Sequence, residues 1–147
     1  MSPNLILAVN AGSSSLKLSL FLLVADRKNL NPNEEPVSLL ATSSVSNIGT
    51  EFAELSYSLD RSLPNRLEGL PFSVNDHTAA FEHFLQILFT DSDFASFGYG
   101  RHNITHVCHR VVHGGDFADL VIVDKSAYDR LEALSDLAPL YVVSNCW

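Results

Sequence analysis

The chain has 147 residues, enough for one domain, and 46% of them are hydrophobic, which supplies a core and excludes wholesale disorder. Its 17 acidic and 9 basic side chains give a formal net charge of −8, which argues against non-specific binding to nucleic acid or anionic membranes. No apolar run approaches the ~18–20 residues of a membrane span. Two cysteines exclude a disulfide scaffold and indicate a reducing compartment, so we expect a cytoplasmic globular protein.

The first half of the sequence predicts β-structure. The short apolar run Leu5–Val9 predicts a strand covered on both faces. The alternation from Leu16 to Val24 predicts a second strand, so the two should form a hairpin across the glycine-serine segment between them. The polar residues 25–36 predict a loop, and Val37–Val45 predicts a third strand. Between Ser46 and Asn75 we expect irregular structure with a short strand or two.

Two helices are predicted in the second half. Asp76 is a suitable N-cap for a helix that runs to about Phe89, since the apolar residues between them have helical spacing. Asp124 or Ser126 caps the other helix, which ends before Pro139 because proline does not continue a helix. One face of this second helix carries Tyr128, Leu131 and Leu134.

Two further strands and a loop complete the predicted elements. Residues 90–103 contain glycine and aspartate and predict a loop. The apolar segment Ile104–Val112 predicts a strand that ends at a pair of glycines, and Leu120–Val123 predicts a short strand.

The segment from Asn10 to Lys17 is the first candidate functional site. Gly12 lets the backbone approach a phosphate closely, and the amides and hydroxyls of the three serines that follow can donate to its oxygens. Lys17 adds a positive charge. A Walker A loop is excluded, since that motif needs a second glycine before the lysine and a helix after it. The alternative is an ordinary polar hairpin turn.

The second candidate lies in the apolar strand that precedes the two glycines. On a strand, Arg110 and Val112 share one face, and a buried arginine is costly unless it pairs with an anion. A guanidinium suits a carboxylate or a phosphate because its donors form a planar fork. A zinc site would need His106, His109 and His113 at helical spacing, whereas a strand divides them between two faces. Hydrogen-bonded structural histidines are therefore the favoured interpretation.

Three segments resemble a known family when they are taken together. The residues NAGSSSLK at 10–17 and HRVVHGGDF at 109–117 resemble the two signatures of the acetate kinase (acetokinase) family, and LAPL at 137–140 resembles the start of a third block. All three stand in the order that the family has. A butyrate or propionate kinase is the close alternative.

The resemblance implies a fold and a reaction. The family has two lobes of ribonuclease-H-like fold, in the actin-like ATPase superfamily, and residues 1–140 would form part of the first lobe, an α/β unit with a mixed sheet and flanking helices. The implied reaction transfers the γ-phosphoryl group of ATP reversibly to acetate, giving acetyl phosphate and ADP with Mg²⁺. A homodimer is expected for the whole protein, with no nucleic-acid or membrane partner.

The resemblance also assigns roles to residues of this chain. Asn10 would lie at the magnesium site and Lys17 would contact the phosphates of ATP. Arg110 would bind the acetate carboxylate or the phosphoryl group in transfer. Val112 and Leu140 would lie near the acetate methyl group. The ATP-binding turn would be lined by Gly12, Ser13, Ser14 and Ser15.

Residues 141–147 depart from the family pattern. The family continues after Leu140 with His-Asn-Pro, and its catalytic histidine, arginine and aspartate lie further along, so we expect no catalytic residue within this chain. Translated intron sequence would explain the change at this point. The isolated chain is then expected to be inactive, either as a nucleotide- or partner-binding lobe or as a non-functional fragment.

Overall fold

The structure is a computed structural model. Two compact units make up the chain, one of residues 1–109 and the other of residues 110–147. Among the described residues, no helix is long and apolar enough to cross a membrane. The structure describes residues 3–24, 35–59, 66–68, 74–111, 115–117 and 119–135.

The first unit is built on a sheet that has six strands in the described residues. In chain order they are β1 (Leu5–Ala11), β2 (Leu16–Leu23), β3 (Val37–Ser46), β4 (Glu54–Leu59), β5 (Arg66–Glu68) and β6 (Ile104–His109). Across the sheet their order is β5-β4-β3-β2-β1-β6. Each of the first five strands pairs antiparallel with its neighbour, whereas β6 pairs parallel with β1. The predicted hairpin, third strand and mixed sheet are therefore confirmed.

Helix α1 (His77–Thr90) supplies the other side of the core. It begins as the sequence predicts, because the Asp76 side chain accepts a 2.7 Å hydrogen bond from the Ala79 amide. Its buried face joins the side chains of β1 to β4 in one apolar cluster. The helix contributes Ala80, Phe84, Leu85 and Leu88 to that cluster.

The two faces of the sheet differ in burial. Leu5 and Leu7 of β1 are buried in the core, whereas Ile6 and Ala8, on the opposite face because side chains alternate along a strand, are only partly buried. The prediction that β1 is covered on both faces was therefore wrong for the described residues. We call the partly exposed side the outer face.

Residues 90–103 are more ordered than the predicted loop. They contain a short helix α2 (Ser92–Ala95) and a 3-10 helix (Arg101–Asn103). The Asp91 carboxylate accepts hydrogen bonds from the amides of Asp93 and Phe94, at 2.8 and 3.1 Å, and so caps α2. Phe94 is fully buried, which fixes this segment to the core.

In the second unit, helix α3 (Lys125–Ser135) confirms the second predicted helix. Asp124 is its cap, since its carboxylate accepts the Ala127 amide at 2.8 Å. The predicted strand Leu120–Val123 was wrong, because this segment forms no strand in the described structure. Leu120 is 95% exposed, so the apolar run lacks both the partner strand and the packing surface that a strand requires.

Candidate phosphate-binding site

Asn10 and Lys17 are direct cross-strand partners in the β1–β2 hairpin. Paired residues project from the same side of a sheet, and here that side is the outer face, opposite α1. Asn10 is partly buried and Lys17 is exposed. The hairpin thus brings an amide and an ammonium group together on the outer face, two residues beyond each end of the loop that joins the strands.

That loop, Gly12–Ser15, is called the serine turn below. The Gly12 amide donates a 2.8 Å hydrogen bond to the Ser15 carbonyl and closes the turn. Ser13 and Ser14 are exposed at its tip. Among the described residues, the amides of Ser13, Ser14 and Ser15 donate no hydrogen bond to the protein. Successive amide donors of this kind, with hydroxyls beside them, can hold an anion.

Two contacts with distant segments of the chain support the serine turn. The Ile48 amide, in the tight connection between β3 and β4, donates a 3.0 Å hydrogen bond to the Ser14 carbonyl. The Nε2 atom of His77, the first residue of α1, lies 2.7 Å from the Gly12 carbonyl oxygen. Sequence reasoning found neither contact, because each joins segments that are distant along the chain. Gly49, whose backbone is left-handed with φ at +85°, lies in the connection that carries Ile48, but a glycine there indicates only a turn and not its contact with Ser14.

Glycine at position 12 has a local steric reason. A Cβ atom there would lie 2.7 Å from the Ser15 hydroxyl oxygen, so this hydroxyl would have to rotate away. The absence of a side chain therefore leaves room for the Ser15 hydroxyl, in addition to any approach by a ligand.

The outer face beyond Lys17 is rich in hydroxyl groups. It forms a shallow depression of about 300 Å³ that is open to solvent. The strand register explains why hydroxyl groups gather on this surface. Ser44 lies between Lys17 and Ser56 and pairs with both. Ser19 pairs with Thr42. The surface next to Lys17 is therefore polar, with a single basic side chain among those that line the depression.

Arg110 is exposed and opens the second unit. It follows His109, the last residue of β6, and His109 pairs with Val9, the residue before Asn10. The predicted strand Ile104–Val112 was thus too long, because its ladder with β1 ends at this pair. Val112 and Leu140, the expected neighbours of the acetate methyl group, lie outside the described residues.

The histidines of β6 diverge. The strand is confirmed over 104–109, so His106 and His109 point to opposite faces. His106 Nδ1 lies 2.9 Å from the Thr105 hydroxyl, and His113 lies outside the described residues. In the ranges that the structure describes, no group of three or more histidine, cysteine or acidic side chains could hold a metal ion. The zinc interpretation gains no support from the described histidines.

The fit of magnesium to the described residues is partial. Mg²⁺ prefers oxygen ligands and is commonly held by one or two carboxylates together with substrate phosphates and water. The amide oxygen of Asn10 could be one such ligand. Lys17, its cross-strand partner, repels a free cation and attracts a phosphate, so the described residues suit a metal that arrives with a phosphate better than a metal alone.

The family signal covers nearly the whole chain. The model of the acetokinase family matches residues 5–146. The chain belongs to the acetokinase family. The match includes both units and both candidate segments.

Individual relatives agree with this assignment. The Emericella nidulans protein named "Probable acetate kinase" is 36% identical over 136 residues, which cover 92% of this chain and 29% of that protein. The acetate kinase of Streptococcus gordonii is 36% identical over 140 residues, covering 95% of this chain and 31% of the relative. This acetokinase-family chain therefore spans less than a third of the length of these relatives.

The fold is that of the same family. The crystal structure of Porphyromonas gingivalis acetate kinase superposes with a TM-score of 0.70 and 26% identity over 94% of this chain and 31% of that structure. A propionate kinase structure from Francisella tularensis shares the fold at a TM-score of 0.63 and 24% identity. The expected fold class, an incomplete lobe of the actin-like ATPase type with a mixed sheet, is confirmed.

Proposed function

We propose that this chain is the ATP-phosphate-binding part of an acetate kinase, which transfers the γ-phosphoryl group of ATP reversibly to acetate and yields acetyl phosphate and ADP. One observation carries the proposal. In a chain of the acetokinase family, Asn10 and Lys17 are paired on one face beside a serine turn whose amides are left for a ligand.

The described groups suit phosphoryl transfer. This reaction needs little covalent help from a protein, but it needs alignment of the reactants and stabilisation of the charge on the phosphoryl oxygens. In our proposal the amides and hydroxyls of Ser13, Ser14 and Ser15 hold phosphate oxygens, and Gly12 allows the close approach. The ammonium group of Lys17 neutralises their charge from the adjacent strand.

Mg²⁺ is the proposed cofactor and would neutralise charge on the phosphates of ATP. Asn10 would offer it one amide oxygen, directly or through water, while phosphate oxygens and water complete the coordination. Carboxylate ligands would come from parts of the protein beyond this chain.

Arg110 is the proposed partner of the acetate carboxylate or of the phosphoryl group in transfer. Its guanidinium can form two parallel hydrogen bonds to either anion. Val112 and Leu140 would give the methyl group of acetate an apolar contact. Both side chains are of a type that favours a short aliphatic tail over a longer polar one.

The complete activity is proposed for a protein as long as the relatives. The acidic residues, histidine and arginine of the reaction are expected beyond residue 140. The proposed lobe is residues 1–140, although the family match extends to residue 146. A cytoplasmic location and a homodimer are proposed with it. For the 147-residue chain by itself, ATP binding without turnover is the second candidate, since the serine turn and its supports all lie within the first unit.

The test begins by sequencing the transcript across the Leu140 codon and expressing the protein that it encodes. This product and the 147-residue chain are both assayed with ATP, Mg²⁺, acetate and hydroxylamine, which converts acetyl phosphate to a hydroxamate that is detected as its coloured Fe³⁺ complex. The proposal expects acetate-dependent hydroxamate from the longer product and none from the short chain. A longer product that binds ATP but forms no acyl phosphate from acetate, propionate or butyrate would overturn the kinase assignment.

A further inference from the structure

His77 and Gly12 are in direct contact although 65 residues separate them in the chain. The Nε2 atom of His77 lies 2.7 Å from the Gly12 carbonyl oxygen, which is a short hydrogen bond. A carbonyl oxygen can only accept, so Nε2 must carry the proton. Both the neutral Nε2-H tautomer and the imidazolium ion meet this requirement.

The start of α1 is held in place independently of this contact. Asp76 caps the helix through the Ala79 amide. Val74 is fully buried, and its carbonyl accepts a 2.7 Å hydrogen bond from the Gly49 amide. The His77 side chain therefore starts from a fixed backbone, and its reach to Gly12 adds a constraint on the serine turn.

The contact replaces a bond that a regular hairpin would make. A four-residue β-turn often has a hydrogen bond from the amide of its fourth residue, here Ser15, to the carbonyl of its first, here Gly12. In the described structure the Ser15 amide does not donate to Gly12, and His77 takes that acceptor instead. The Ser15 amide thus stays open to a ligand.

The contact between His77 and Gly12 also sets the direction of the Ser13 amide. In a trans peptide the C=O and the following N–H point in opposite directions, and the described residues contain no cis peptide. Since the Gly12 carbonyl is held toward α1, the Ser13 amide points away from the helix. The Ile48 amide likewise holds the Ser14 carbonyl, at 3.0 Å, so the Ser15 amide of the same peptide points away from Ile48.

We propose that His77 is a positioning residue for phosphate binding: its Nε2-H holds the Gly12 carbonyl and thereby presents the Ser13 and Ser15 amides to the phosphoryl oxygens. The inference rests on the proposed function, because it needs the serine turn to bind a phosphate. A role that only fastens α1 to the sheet would stabilise the fold without changing the affinity for phosphate.

The test uses the isotopically labelled 147-residue chain and inorganic pyrophosphate as the probe. Amide spectra recorded during the titration report the affinity at the serine turn. Variants are His77→Phe, which keeps a ring but has no donor, and His77→Gln, whose side-chain amide can donate. His102→Phe is the matched control, since His102 is an exposed histidine on the 3-10 helix.

We expect His77→Phe to weaken pyrophosphate binding about fivefold, the size expected for one lost hydrogen bond. His77→Gln should restore most of that loss, and His102→Phe should bind as the unmodified chain does. The Ser13 and Ser15 amides should show the largest changes. Equal affinity of His77→Phe and the unmodified chain, with a lower melting temperature alone, would overturn the positioning role.

A measurement on the unmodified chain covers the case in which His77→Phe does not fold. The ¹⁵N shifts of the His77 ring identify its tautomer, and we expect a proton on Nε2. A ring protonated only at Nδ1 would overturn the inference. If the unmodified chain shows no response of the serine turn to pyrophosphate or to ATP, the proposed function fails at this chain, and the His77 inference fails with it.

Discussion

Asn10 on β1 and Lys17 on β2 face each other across the hairpin, and both lie on the side of the sheet opposite α1. The pairing follows from the length of the serine turn, because a shift of one residue would send one of the two side chains into the core. The four-residue turn thus sets the position of the lysine as well as that of its own amides.

Lys17→Ala should weaken ATP binding by roughly 10- to 100-fold, which is the range for losing a hydrogen bond to a charged group. Calorimetric titration of the 147-residue chain with ATP measures this. Lys125→Ala is the matched control, since Lys125 is an exposed lysine of α3 whose ammonium pairs with Asp129. Unchanged affinity in Lys17→Ala would remove the lysine from the proposed site. In an active longer protein, the same change should impair the use of ATP more than that of acetate.

Gly12→Ala should disturb the Ser15 hydroxyl, because the added Cβ would lie 2.7 Å from its oxygen. A double-mutant cycle with Ser15→Ala tests this cause by urea unfolding. Removal of the hydroxyl should make Gly12→Ala less destabilising, with a coupling of about 0.5–1 kcal/mol between the two sites. Strictly additive effects would show that the clash is absent.

Arg110→Ala should severely reduce the rate of acetyl phosphate formation in an active protein that contains this chain. The reason is that a guanidinium that holds a reacting anion contributes both charge and alignment. Arg110→Lys tests geometry, since lysine keeps the charge without the planar fork, and it should recover only part of the rate. Near-normal turnover of Arg110→Ala would place the arginine outside the site.

The apolar cluster predicts cooperative unfolding of the chain. Phe84 is fully buried within it, and Phe84→Ala should lower the free energy of unfolding by about 3–5 kcal/mol. Phe97→Ala, at a site that is 52% exposed, is the control and should cost much less. Urea unfolding followed by circular dichroism measures both. A non-cooperative transition in the unmodified chain would favour the fragment that folds poorly.

Local patterns in the sequence were sufficient to predict the hairpin and α1. The alternation in β2 and the capping residue Asp76 are both signals within a few residues of the structure that they specify. The short strand proposed at Leu120–Val123 failed, since apolar composition cannot tell whether a partner strand is available. Leu120 is 95% exposed, so the apolar composition of this segment did not indicate burial in a sheet.

The residue types in the sequence predicted the candidate site, but they did not predict the contacts that support the serine turn. Gly12, the three serines and Lys17 stand together in the sequence and therefore indicate an anion site. The contacts of His77 and Ile48 with the serine turn depend on how α1 and the β3–β4 connection pack onto the hairpin. No pattern within a single segment carries that information.

The most direct test of the account is a titration of the ¹⁵N-labelled chain with ATP and Mg²⁺. The account predicts that the amides of residues 12–15 and the resonances of Lys17 shift together with one dissociation constant, and that Lys17→Ala abolishes or strongly weakens this response. Shifts confined to the second unit, or no saturable shift at the serine turn, would contradict it.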